Sequence, residues 1–180
     1  ALVYGYGFDG INYDDEYSAY PDLTIPWFTT PSREAGNRLY FETKKAMPDK
    51  IMLSYQFGSA LGDAPVDGII PGDYMDICVG DYGRAGYPYE GMTNANCSYQ
   101  SSEFAQWRSI PSASSVNSFI SSDYGYWMVF SLWNGAPGGS NLQRDFNAMN
   151  YLSQGIYGQD LKTPAFYYPK TTELETKPIN

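Results

Sequence analysis

The chain has 180 residues, a formal net charge of −9 at pH 7 and a pI of about 4.3. This length is most simply one domain with a real core, and the charge argues against nucleic acids and anionic membranes, which attract Lys and Arg. Histidine is absent, which excludes imidazole zinc sites and triads with a histidine base. The 18 tyrosines have flat apolar faces and polar edges, which suit a carbohydrate cleft as well as an ordinary core.

Helical and strand patterns alternate along the chain. A helix end and a glycine-rich turn over residues 1–7 lead into a first strand. Further strands are predicted at Ile51–Phe57, Tyr74–Val79, weakly at Ala95–Tyr99, and at Tyr126–Trp133. Helices are predicted from the cap Thr30-Pro31 to about Ala46, at Ser112–Ser121, from Ser140 to about Tyr157, and as a possibility at Ser102–Trp107. Strands that alternate with helices predict a parallel sheet, whose functional residues follow the carboxyl ends of the strands.

Three polar residues stand at alternate positions where the first strand ends. Side chains alternate between the two faces of a strand, so Asn12, Asp14 and Glu16 share one face, whereas Ile11 and Tyr13 take the other. Two neighbouring carboxylates cannot both ionise freely, so one pKa should rise, as a general acid requires. A solvated acidic loop and an oxygen-ligand site for a hard cation are the alternatives from spacing alone.

The segment Asp9-Gly10-x-Asn12-x-Asp14-x-Glu16 resembles the signature of glycoside hydrolase family 18, Asp-Gly-x-Asp-x-Asp-x-Glu. Asp15 stands where chitinases usually carry Trp, so the segment is similar to the branch of endo-β-N-acetylglucosaminidases of the endoglycosidase H and F1 type. Weaker similarity continues through 46–55 and 124–126. Asn12 departs from the usual Asp, and we expect activity that is retained but altered, since Asn can donate a hydrogen bond to Asp14.

The resemblance implies an α/β fold, a parallel (β/α) TIM barrel with the signature on its fourth strand. A whole barrel needs about 250 residues. We therefore expect residues 1–160 to be a partial barrel catalytic domain, strands four to eight, with 161–180 as a C-terminal tail. An N-terminal half-barrel segment or chain is the expected partner, because five open strands would expose an edge and an apolar face.

The resemblance also implies a retaining mechanism in which the 2-acetamido group of the substrate attacks the anomeric carbon and forms an oxazoline. Glu16 would be the acid and then the base, and Asp14 would orient the acetamido group. Tyr82 could bind the acetamido oxygen, or simply pack. No cofactor or metal is implied. The other expected substrate-binding residues are Asn12, Tyr55, Gln56, Asp81, Trp133 and Asn134, with weaker support for Trp27 and Phe28.

The implied substrate is the GlcNAc-β-1,4-GlcNAc core of N-linked glycans or another GlcNAc-containing oligosaccharide. A chitinase and a non-catalytic, lectin-like glycan-binding module are the alternatives. The loops at 58–73 and 84–95 are expected to choose the antennae. We expect a secreted, periplasmic or cell-surface protein whose targeting signal is not in this chain, with no membrane span. Cys78 and Cys97 are expected to be free buried thiols, although the sequence does not show whether they pair.

Overall fold

A computed structural model describes residues 2–14, 16, 33–57, 65–131 and 142–162 of the chain. They form an α/β fold with parallel strands. The strands are β1 (Gly10–Tyr13), β2 (Ile51–Gln56), β3 (Ile77–Gly80), β4 (Ser98–Glu103) and β5 (Tyr126–Phe130). The helices are α1 (Leu2–Tyr6), α2 (Arg33–Ala46), α3 (Ala113–Ile120) and α4 (Leu142–Tyr157), with short 3₁₀ turns at Pro71–Asp73 and Asn94–Asn96.

All the observed strand pairs are parallel, as the sequence predicts. β1, β2 and β3 form one sheet in that order, and β4 and β5 form a second. A single parallel bridge between Cys78 and Cys97 connects β3 to β4, so the described strands follow one another in chain order without closing into a ring. Both cysteines are buried free thiols, as expected.

Serine side chains take over the pairing at the seam between β3 and β4. Ser98 Oγ accepts a hydrogen bond from the backbone N–H of Gly80 at 3.0 Å, and Ser101 Oγ donates to the Gly80 carbonyl at 2.6 Å. The chain then turns back after β3, and the N–H groups of Gly83 and Gly86 donate to the carbonyls of Ser101 and Ser98. A Cβ on Gly80 would lie 2.4 Å from the Ala85 carbonyl oxygen, so this return requires glycine.

One side of the sheets packs against helices and is apolar. Tyr13 donates from its hydroxyl to Thr43 Oγ1 of α2, and its ring centre lies 4.4 Å from that of Tyr40. The core behind the first sheet is formed by Tyr40, Met52, Tyr74, Met75, Cys78, Tyr89 and Cys97. Tyr89 belongs to the connection between β3 and β4, residues 81–97, which carries no α-helix and fills that place in the core with its own side chains.

The opposite side, which we call the inner face, carries the alternate residues of the strands. It includes Asn12 and Asp14 of β1 and its end, and Phe130 of β5. Large apolar side chains lie exposed on it, at Ile51, Tyr126 and Phe130. The face that would line the inside of a barrel is therefore uncovered at these positions by the residues that the structure describes, whereas Tyr55, Val79 and Glu103 on the same face are buried.

Four details differ from the sequence prediction. β3 begins at Ile77 rather than Tyr74, because the N–H groups of Tyr74 and Met75 are bonded to the Pro71 carbonyl. β4 starts only at Ser98, after a 3₁₀ turn, and β5 ends at Phe130. The helix at Ser102–Trp107 is wrong. Ser102 and Glu103 end β4, and reciprocal backbone bonds between Glu103 and Arg108 close a tight turn.

Several other sequence predictions fall outside the described residues. They concern the cap at Thr30-Pro31, the cap at Ser140, the loop at 58–64, and the tail after residue 162. Among the described helices, none has the length and apolar character needed to cross a membrane.

Candidate active site

The carboxyl ends of β1, β2 and β3 meet at one edge of the first sheet and bring polar side chains together there. Tyr13 pairs with Ser54, and an isolated parallel bridge in the same register joins Glu16 to Phe57. Asp14 and Glu16 are both exposed on the inner face. The alternation along the strand therefore places Asn12, Asp14 and Glu16 where a ligand can reach them.

Glu16 has a raised pKa, as two neighbouring carboxylates predict. The largest cause is desolvation, followed by the negative charge of Asp14, a hydrogen bond with the Asp14 side chain, and the charge of Asp81. Each of these favours the protonated carboxylic acid over the carboxylate. Glu16 is thus equipped to hold a proton that it can deliver to a bound group.

Asp81 links the ends of β2 and β3. Its Oδ1 accepts from the hydroxyl of Tyr55 at 2.7 Å and from the backbone N–H of Tyr82 at 2.7 Å. The hydroxyl of Tyr55 is held by this bond, and burial together with Asp81 raises its pKa. Together, the two hydrogen bonds to Asp81 hold the Tyr55 hydroxyl and the Tyr82 backbone at the same strand end.

Tyr82 lies among carboxylates from three different strand ends. Burial raises the pKa of its phenol to about 12, and the charges of Glu103, Glu16, Asp14 and Asp81 add to the effect. Its ring centre lies 6.2 Å from that of Tyr55 and 5.7 Å from that of Phe130. Tyr82 is therefore a neutral hydrogen-bond donor on an aromatic row that crosses the inner face.

Gln56 is placed differently from its expected role as a sugar contact. Its side-chain amide donates to the carbonyl of Tyr87 at 2.8 Å and accepts from the Tyr87 N–H at 2.8 Å. Gln56 lies on the helix side of β2, because it alternates with Tyr55 of the inner face. The amide holds the returning loop against the strand, and any contact with sugar stays a prediction.

The remaining predicted contacts are only partly placed. Asn12 is exposed on the inner face of β1, in register with Leu53. Trp133, Asn134, Trp27 and Phe28 lie outside the described residues. Part of the loop at 84–95, expected to select antennae, is instead buried, since Gly86 and Tyr89 pack into the fold.

Two residues at this edge were not predicted from the sequence. Glu103 and Phe130 are register partners at the ends of β4 and β5. The segment Ser98–Glu103 is so polar that the sequence predicts the strand earlier, at Ala95–Tyr99. Had the prediction extended to Glu103, this residue would have been a candidate for the inner face. In the part of the chain that is described, no cluster of three or more Cys, Asp or Glu side chains is arranged to hold a metal.

Comparison with known proteins links this arrangement to an enzyme class. No protein-family model matches the chain. It is 33% identical over 161 residues to endo-β-N-acetylglucosaminidase F1 of Elizabethkingia meningoseptica, a match that covers 87% of this chain and 46% of that protein. The chain thus spans less than half the length of this relative.

Two solved structures of EndoBT-3987 from Bacteroides thetaiotamicron are also similar. The one described with a Man5GlcNAc product matches with a TM-score of 0.75 and 39% identity, over 92% of this chain and 38% of that one. The one in complex with a Man9GlcNAc2Asn substrate matches with a TM-score of 0.75 and 38% identity, over 92% and 41%.

The parallel α/β fold with an acidic pair at its strand ends is therefore homologous to glycoside hydrolases. More narrowly, the chain is similar in sequence to less than half of endo-β-N-acetylglucosaminidase F1, and in structure to a comparable share of EndoBT-3987.

Proposed function

We propose that this chain carries the catalytic residues of a retaining endo-β-N-acetylglucosaminidase. The reaction is hydrolysis of the GlcNAc-β-1,4-GlcNAc linkage in the core of N-linked glycans, by substrate assistance through an oxazoline intermediate. The observation that carries the proposal is the raised pKa of Glu16, hydrogen-bonded to Asp14 at an exposed strand end. The similarity to proteins named for this activity supports it.

The proton transfers fall to Glu16. As a carboxylic acid it protonates the glycosidic oxygen as the bond to the departing GlcNAc breaks. As a carboxylate it then takes a proton from the water that opens the oxazoline. Because the attacking oxygen belongs to the substrate's acetamido group, the protein supplies no nucleophile.

Asp14 and Tyr82 act on the acetamido group. The carboxylate of Asp14 accepts from its N–H and stabilises the positive charge that forms on the ring, an effect that grows when bound sugar excludes water. Tyr82, kept as a neutral phenol, donates to the acetamido oxygen. Asn12, Tyr55, Asp81, Trp133 and Asn134 are proposed as further sugar contacts, and Gln56 as one acting through the loop that it holds.

We further propose that residues 1–160 are strands four to eight of a (β/α) barrel and that 161–180 form a tail. The parallel order of five strands and the large apolar side chains exposed on their inner face support this, as does the match to under half of a longer relative. The partner that would cover the inner face is a half-barrel, whether a segment or a separate chain. We also propose that the protein is exported to the periplasm, the cell surface or the medium, where an enzyme that acts on N-glycans would meet its substrate.

Mass spectrometry of a high-mannose glycoprotein incubated with the chain tests the activity. We expect loss of the glycan with one GlcNAc left on Asn, and we expect Glu16→Gln to abolish that loss while glycan binding persists. Glu42→Gln, the same change on the exposed surface of α2, is the matched control and should release glycan normally. Binding without release by the parent chain would favour the lectin-like alternative, and release by Glu16→Gln would remove Glu16 from its role.

A further inference from the structure

Glu103 is a carboxylate at the inner face that the proposed reaction does not use. It ends β4, and its backbone is fixed on both sides. Its N–H and carbonyl exchange hydrogen bonds with Arg108 at 3.0 and 2.9 Å, and the next residue, Phe104, donates to the carbonyl of Phe130 at 3.0 Å. Since Glu103 pairs in register with Phe130, both side chains lie on the same face of the sheet.

The surroundings of Glu103 are poor in compensation for a negative charge. The residue is 5% exposed, and its Oε2 has no hydrogen-bond partner among the described residues. Among the described residues, the cation paired with it is Nε of Arg108 at 3.8 Å, on a side chain that is itself largely exposed. A carboxylate oxygen that is buried without a hydrogen bond destabilises a fold, so packing alone gives no reason for Oε2 of Glu103.

The charge of Glu103 acts on the same phenol as the acidic pair. The negative charge of Glu103 raises the pKa of the Tyr82 phenol, as do the charges of Glu16, Asp14 and Asp81. The ring of Phe130, beside Glu103, lies 5.7 Å from the ring of Tyr82. Glu103 therefore lies on the inner face beside the Phe130 end of the aromatic row.

We propose that Glu103 stabilises the positive charge that develops on the substrate sugar by acting through space, without touching the sugar. The inference rests on the proposed function, which passes through a cationic oxazolinium species. A fixed anion in a partly desolvated site lowers the energy of such a cation and leaves a neutral ligand almost unaffected. Burial of Oε2 excludes direct contact between that oxygen and the sugar.

The test separates charge from shape by measuring two ligands. One is the neutral oligosaccharide Man5GlcNAc, and the other is an iminosugar of GlcNAc shape whose ring nitrogen is protonated at neutral pH. In Glu103→Gln, calorimetric affinity for the cationic ligand should fall about tenfold, as expected for the loss of one nearby charge at an intermediate dielectric. Affinity for Man5GlcNAc should stay within about twofold.

Kinetics and stability provide the second readout. In Glu103→Gln, kcat should fall about tenfold with KM unchanged, because only the transition state is charged. The melting temperature should stay equal or rise. Arg108→Gln removes the compensating cation and should strengthen binding of the cationic ligand, whereas Glu42→Gln should change neither ligand's affinity.

An equal loss of affinity for both ligands in Glu103→Gln, together with a lowered melting temperature, would overturn the inference and indicate a structural role for Glu103. Unchanged binding of the cationic ligand would overturn it as well. A parent chain that binds both ligands without releasing glycan would overturn the proposed function alone, since the comparison of ligands still decides the role of Glu103. A parent that binds neither would overturn both.

Discussion

At the scale of single residues, Asp81 connects hydrogen bonding with charge. One of its oxygens accepts from Tyr55 and from the Tyr82 N–H, and its charge contributes to the raised pKa of Glu16. The geometry of two tyrosines and the proton affinity of the acid thus depend on the same carboxylate. Replacement by Asn separates the two effects, because its amide oxygen can still accept both bonds.

We expect Asp81→Asn to shift the alkaline limb of the pH–rate profile to lower pH. Glu16 must be protonated to act as an acid, so activity falls as the pH rises through its pKa. Removing a negative neighbour lowers that raised pKa towards its ordinary value, and the fall in activity begins earlier. Measurement of kcat/KM against pH checks this.

Asp73→Asn is the control for that experiment. Asp73 is an exposed acid on the 3₁₀ turn that precedes β3, at the opposite end of the strand from Asp81. Its replacement should leave the alkaline limb in place. An unmoved limb in Asp81→Asn, with activity retained, would show that Asp81 does not influence the proton on Glu16.

At the scale of elements, the β3–β4 seam depends on side chains where sheets normally use backbone. Ser98 and Ser101 satisfy both the N–H and the carbonyl of Gly80, and the returning loop occupies the backbone groups of β4. The two sheets therefore join through buried serines. This seam positions β4 and Glu103 relative to Asp81.

Ser101→Ala should lower the free energy of unfolding by about 1–2 kcal/mol, because it leaves the buried Gly80 carbonyl without this donor. Ser118→Ala, which removes an exposed hydroxyl from α3, is the matched control and should cost less than about 0.5 kcal/mol. Urea unfolding of both variants gives the comparison. Equal stability of Ser101→Ala and the parent would mean that the seam is held by the backbone alone.

Elements with strong local sequence signals were predictable, whereas β4, which is held by contacts with β3, was not. The apolar runs of β2 and β5 and the helix at Ser112–Ser121 carry strong local signals, and the structure has these elements close to their predicted positions. Asn12, Asp14 and Glu16 followed from alternation along one strand. β4 was misplaced because its buried residues are serines, whose burial is determined by partners on β3 rather than by local hydrophobicity. Glu103 was missed for that reason.

At the scale of the whole molecule, β1 and β5 each have one neighbour among the described strands, whereas β2 is bracketed by two. The side that such strands would enclose exposes Ile51 and Phe130. A barrel has no edges, and an open parallel sheet leaves two. Protection of the edge amides of β1 and β5 therefore shows whether further strands pair with them.

Hydrogen exchange should resolve this. In the 180-residue chain, we expect the amides of β2 to exchange at least about a hundredfold more slowly than the amides of β1 and β5 that point away from their one partner. Exchange is measured at two protein concentrations to detect pairing between copies. Equal protection of β1 and β2 at both concentrations would show that another segment already pairs with the β1 edge.

The connection over residues 81–97 has two structural roles, since Asp81 and Tyr82 lie at the strand ends beside Glu16, whereas Tyr89 is buried in the core on the helix side of the sheet. Its first turn is constrained by Gly80 and Gly86, where a Cβ would lie 2.4 Å from the Ala85 carbonyl oxygen and 2.6 Å from the Cys78 carbonyl oxygen, respectively. Insertions there would disturb catalysis and folding together. Divergence towards new antennae should consequently accumulate in other loops, and homologues that differ in glycan choice should keep this connection constant in length.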